Sequence, residues 1–151
     1  MRVEFRKHDE KRRAVSWEAF CEKRRRVPGP YMPSGADIPH DLLQYVVEAA
    51  SGMQHGFWGL IDQGATFKST GRKRTKPGRA VIKAHEPELQ EAEVLPGVYV
   101  AAWRAGEQHE IVTLLDTAYR QWLSLRPGEH LVFEWPSAEG VVVSRVGSPS
   151  A

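Results

Sequence analysis

Cysteine is nearly absent: Cys21 is the only one in 151 residues, so no intrachain disulfide can form and a disulfide-stapled scaffold is excluded. A lone thiol fits a reducing compartment, and the expected location is cytoplasmic. Lying in or beside an expected strand, it reads as an inert buried thiol rather than a nucleophile. Long apolar runs are missing as well. Stretches free of charge, such as residues 42–47, fall far short of the roughly 18 residues a spanning helix needs, so no membrane partner is expected. The basic start lacks the apolar core of a secretory signal, which argues against export. There is no Gly-x-Ser-x-Gly elbow, no dinucleotide fingerprint and no internal repeat. Residues 69–75 hold the ingredients of a phosphate loop without its spacing.

What is present is an ordinary globular composition, 41% hydrophobic and 26% charged, which excludes collagen-like, coiled-coil and wholly disordered classes. The size predicts a single domain over residues 1–151. Charge is uneven: residues 1–83 hold 17 basic against 9 acidic side chains, and residues 84–151 hold 4 against 10. Such asymmetry either marks an anionic partner or lets the two halves attract one another.

Alternation of Val3 and Phe5 with charged neighbours predicts a strand over residues 1–7. Residues 13–20 alternate likewise and complete an N-terminal hairpin, with Cys21 as a possible extension. Residues 27–35 contain Pro28, Pro30 and Pro33 and read as a loop. A helix is expected over 40–50, opened by Asp37 or Pro39, with Leu42, Leu43, Val46 and Val47 facing the core. A short helix follows around Phe57 to Ile61. Gly71, Pro77 and Gly78 make residues 68–79 a flexible basic loop, after which a helix starts near Ala80. Pro87 opens a further helix over 88–94, Pro96 and Gly97 interrupt it, and residues 98–103 lean to helix. The clearest helical periodicity spans 107–125, where Ile111, Leu115, Ala118 and Trp122 recur at spacings of three and four. Residues 130–135 and 140–146 form a C-terminal hairpin, and 147–151 a short disordered tail. The fold class is therefore α+β, with both terminal hairpins in one antiparallel sheet packed against a central helical segment.

Two groups of residues suggest chemistry. The first lies on the helix at 40–50. With His40 at 0°, Asp41 falls at about 100°, Gln44 at about 40° and Glu48 at about 80°, so four polar groups share roughly a quarter of the cylinder. His40, Asp41 and Glu48 are the catalytic candidates. His40, Glu48 and His55, which follows the helix by a short turn, are the metal candidates, although Gln44 at i+4 from His40 is a poor zinc ligand. The plain alternative is a solvated face for Gln44 and Glu48. No cofactor is expected, with a divalent metal kept open. The segment Pro39-His40-Asp41-Leu42-Leu43-Gln44-Tyr45-Val46-Val47-Glu48 resembles the PHDxxHxxVE helix motif of small uncharacterised bacterial proteins of actinobacterial type. A looser likeness extends to Gly56-Phe57-Trp58-Gly59 and the terminal strands. That family has no established activity, so the resemblance implies no mechanism, and Gln44 stands where the motif has its second histidine.

The second group is cationic. Lysines and arginines neutralise phosphates and release counterions, which makes Arg24, Arg25, Arg26, Arg72, Lys73, Arg74, Lys76 and Arg79 candidates for contact with nucleic acid or another polyanion. No acidic residue interrupts the sequence between Asp62 and Glu86. The leading expectation is a binding or accessory protein using these basic loops, and it leans away from an enzyme. The alternative is a metal-assisted hydrolase, or its inactive remnant, centred on His40, Asp41 and Glu48. An obligate protein partner would instead show as an apolar patch near Trp58 or Trp103.

Overall fold

The computed structural model describes residues 1–8, 14–33, 37–70 and 73–144. In chain order the strands β1 (Arg2–Lys7), β2 (Ala14–Phe20), β3 (Arg26–Pro28) and β4 (Met32–Pro33) come first. Among the described residues, five α-helices follow: α1 (His40–Ala50), α2 (Phe57–Asp62), α3 (Lys76–Ala84), α4 (Glu86–Arg104) and α5 (Glu110–Ser124). Strands β5 (Glu129–Glu134) and β6 (Val141–Ser144) close the sequence of elements. All pairings are antiparallel in the order β3-β2-β1-β5-β6, with β4 also on β2. The expected α+β architecture is what forms: strands from both ends of the chain share one sheet, and helices pack on it.

Period-two alternation puts Val3, Phe5, Trp17, Ala19, Leu131 and Phe133 on one face of the sheet, all of them buried. Register aligns them, since Phe5 lies opposite both Trp17 and Leu131, and Val3 opposite Ala19 and Phe133. Tyr45 of α1 and Trp58 of α2 close over Phe5 in edge-on contacts at 6.0 and 5.8 Å, and both are fully buried. Leu115, Ala118 and Trp122 of α5 complete the core. The opposite face is polar yet closed: Glu4 is buried there with Arg2 Nε at 3.0 Å and His130 Nδ1 at 3.1 Å.

Several expectations change. The segment read as a loop at 27–35 supplies β3 and β4, because Pro28 and Pro33 sit on an edge where a missing N–H breaks no ladder. Cys21 does not extend β2; half-buried, it opens a 3₁₀ turn at Glu22–Arg24, and its N–H donates to the Arg25 carbonyl at 2.7 Å. Pro96 and Gly97 do not interrupt α4, which runs through them with Pro96 buried inside. Packing of α4 against α1 and α5 offsets the lost backbone bond. The basic stretch at 68–79 is not a loop throughout. Lys68–Thr70 is a 3₁₀ turn, and α3 already begins at Lys76. Thr75 caps α3 by accepting from the Gly78 N–H at 3.0 Å, and Pro77 falls in the first turn, where no donor is required. Gly78 is there for closeness rather than flexibility, since a Cβ would stand 2.3 Å from Thr66 Oγ1. The strand end at 145–146 and the tail at 147–151 lie outside the described residues.

Candidate functional site

The first turn of α1 sets His40 and Asp41 on the wall of a cleft of about 840 Å³. Gln44, Ser69 and Glu93 supply its other polar side chains, while Met32, Ile38, Phe57 and Phe67 supply apolar wall. Asp41 is held from two sides. Its Oδ2 accepts from Trp17 Nε1 at 2.9 Å, and its Oδ1 lies 3.3 Å from His40 Nδ1. That bond to Asp41 raises the His40 pKa above the ordinary imidazole value, burial opposing it.

Glu48 does not join them. The face expected to be solvated is covered: Gln44 is buried and Glu48 has no exposure at all. Both Glu48 oxygens are occupied by hydrogen bonds. Oε1 accepts from the Trp58 N–H at 2.9 Å, and Oε2 accepts from the Phe57 N–H at 3.0 Å and from Gln44 Nε2 at 2.9 Å. The residue before α2 is Gly56, which has no side chain to cap with, so a carboxylate from α1 caps α2 instead. Burial pushes the Glu48 pKa up to about 7, against the pull of those three donors. Glu48 is therefore a structural anchor, its carboxylate engaged by α2 and Gln44, whereas Asp41 is engaged by His40 and Trp17.

The metal candidates also separate. Among the described residues, the one group of three side chains able to hold an ion contains His55 but neither His40 nor Glu48; its other members are His85 and Glu88. The remaining histidines are engaged away from His40. His8 meets Ser16, His130 meets Glu4, and His109 Nδ1 accepts from the Ile111 N–H as the cap of α5.

The cationic candidates divide by role. Arg25 Nη2 donates to the carbonyls of Ile61 and Asp62 at 2.7 and 3.3 Å, tying down the end of α2. Arg26 pairs with Glu18 at 2.8 Å and stacks over Phe20. Arg24 is exposed on a backbone of φ 58°. Lys73, Arg74, Lys76 and Arg79 are exposed and, among the described residues, make no ion pair. Lys83 shares that state, and its spacing of four from Arg79 and seven from Lys76 lines all three along one face of α3. Arg72 lies outside the described residues. Arg2, Arg6 and Arg26 pair with Glu4 and Glu18, carboxylates of their own half of the chain. Trp58 is fully buried and offers no docking patch, and Trp103 is half-buried with its Nε1 on Asp116 Oδ1 at 3.3 Å.

No protein-family model matches the chain, and comparison with curated proteins and with solved structures finds no match either.

His85 and Glu88 are the functional candidates that reading the sequence missed. The signal was local: His85-Glu86-Pro87-Glu88 opens a helix with an imidazole and a carboxylate three residues apart, a spacing that puts both on one side. Nothing local links that pair to His55.

Proposed function

We propose that the chain is a binding protein for nucleic acid or a comparable polyanion, with the α3 face as its contact surface. The observation behind this reading is that Lys73, Arg74, Lys76, Arg79 and Lys83 stay exposed and unpaired among the described residues, within one short stretch of chain. Unpaired cations on a regular helix face neutralise phosphates without first breaking internal ion pairs, and their counterions are free to leave. Arg25 and Arg26 are less suited, because binding through them would undo bonds inside the fold. No side chain on α3 other than the cations is equipped to read bases, so the binding is electrostatic and tolerant of sequence.

Filter retention or fluorescence anisotropy with a single-stranded oligonucleotide tests this. Binding should appear at low ionic strength and fall with added salt, and Lys76→Glu together with Arg79→Glu should flatten that salt dependence by roughly 0.7 in logarithmic slope per contact removed. Absence of retention at low ionic strength, or retention unaltered by the double reversal, would refute it.

A second reading rests on the cleft. A concave, largely apolar pocket with His40 and Asp41 converging on it suits a small molecule, and it is what survives of the hydrolase alternative once Glu48 is committed elsewhere. Loss of ligand or activity on substituting His40, with α3 untouched, would favour this reading over the first.

A further inference from the structure

Residues from two separate places in the chain meet beside the start of α4. His55 belongs to the link between α1 and α2, His85 to the junction of α3 and α4, and Glu88 to the first turn of α4. The meeting is held from below. Gly56 passes so close to its neighbours that a Cβ there would stand 2.5 Å from Glu48 Cδ and 2.9 Å from Ala92 Cβ, which means that the link threads between α1 and α4. The Glu48 carboxylate then fixes the next two residues through the N–H groups of Phe57 and Trp58. Ala92 and Glu88 are one helical turn apart on α4, so a link pressed onto Ala92 delivers His55 to Glu88.

The donor atoms are gathered. His55 Nδ1 lies 2.5 Å from Glu88 Oε2, His85 Nδ1 lies 3.5 Å from Glu88 Oε1, and one ligand atom from each residue falls within 4.8 Å of the others. Tetrahedral sites with bonds of about 2.1 Å space their donors roughly 3.4 Å apart, a separation near the one present, and closure requires the two rings to tilt until both planes contain the ion. The two imidazoles stack at 3.8 Å between centroids with 9° between planes. As neutral imidazoles they bring nitrogen lone pairs to a divalent cation. The cluster also has an open side. A cavity of about 440 Å³ adjoins His55 and Glu88, and its wall includes a second carboxylate, Glu91.

From this arrangement we infer that His55, His85 and Glu88 form a binding site for a divalent transition-metal ion, with a coordination position open to the adjoining cavity. Two imidazole nitrogens and one carboxylate select zinc and its neighbours, cobalt, nickel and copper, over calcium and magnesium, which take oxygen ligands. Three protein ligands leave a fourth position for water or an incoming group, and Glu91 stands on the side from which it would enter. The bound ion would also fasten the link between α1 and α2 to α4. This site is distinct from the cations of α3 and stands whether or not that helix binds a polyanion.

The test is titration of chelator-treated, redialysed full-length protein with Co²⁺, followed by its visible ligand-field absorption, and with Zn²⁺ by calorimetry. One equivalent of each should bind, with the cobalt spectrum showing low coordination number. His55→Ala, His85→Ala and Glu88→Gln should each weaken binding by about tenfold or more, roughly 1.4 kcal/mol. Glu88→Gln is isosteric at a half-exposed position and serves as the variant whose fold is secure. A wild-type protein that takes up no stoichiometric cobalt or zinc overturns the inference. So does stoichiometric uptake that all three variants retain, since the ion would then sit elsewhere.

Discussion

Glu48 shows how a single carboxylate can be committed to structure while keeping a perturbed titration. Cut off from water, it answers two backbone N–H groups that α2 cannot satisfy itself. Glu48→Ala should therefore destabilise the fold by about 2 to 4 kcal/mol, read as a lowered urea midpoint, because two buried donors lose their acceptor. The pH dependence has a definite sign. The folded-state value, about 7, lies above the unfolded 4.5, so the folded state holds its proton over an interval where the unfolded chain has released it. The contribution of Glu48 is full below that interval and is lost as pH rises through about 7. Against Glu48→Gln, which cannot titrate, the wild type should give up about 3 kcal/mol of relative stability across the interval. Parallel thermal melts of the two proteins over this range check it, and superimposable pH profiles would contradict it. Gly56→Ala tests the same corner sterically: the Cβ meets Glu48 and Ala92, and about 1 to 3 kcal/mol should be lost on chemical denaturation.

Among elements, α4 gives the matching experiment in open space. Gly97 lies inside this helix with nothing within 4 Å of where its Cβ would be, so Gly97→Ala should raise stability by about 0.5 to 1 kcal/mol, measured as a higher melting temperature. The elements also differ in how far the sequence revealed them. The periodicity of Ile111, Leu115, Ala118 and Trp122 located α5, although it starts at Glu110 rather than 107 because the His109 side chain provides the cap. α3 was hidden, since Pro77 and Gly78 look like breakers until one sees that the first needs no donor and the second faces Thr66. β3 and β4 were hidden for a related reason, as proline excludes a central strand but not an edge. For the site, helical geometry correctly grouped His40, Asp41, Gln44 and Glu48 on one side of α1. It had no means of telling that this side is divided, its start opening on a cleft and its end sealed by α2 and α4. The meeting of His55 with His85 and Glu88 depends on a threading of the link past α4 that only tertiary packing determines.

At the scale of the whole molecule, the architecture joins the two ends of the chain. β1 is flanked by β2 on one side and by β5 on the other, and Leu131 and Phe133 of β5 fill the core opposite Phe5 and Val3. A protein truncated before β5 would leave β1 with an open edge and the core without two of its largest buried side chains. It should show no cooperative melting transition and little near-ultraviolet circular dichroism, whereas removal of β6 alone, an edge strand that is mostly exposed, should retain both at reduced stability. The charge asymmetry acts locally at this scale: the arginines of β1 and β3 are balanced by Glu4 and Glu18 beside them. The cations of α3 are left facing outward. The central place of β1 bears finally on biosynthesis. Translation delivers this strand ahead of both neighbours, and β5 leaves the ribosome only after α1 to α5 have emerged, so the nascent polypeptide presents an unmated backbone edge throughout that interval, the surface that a chaperone would shield and that crowded sister chains would compete to pair with.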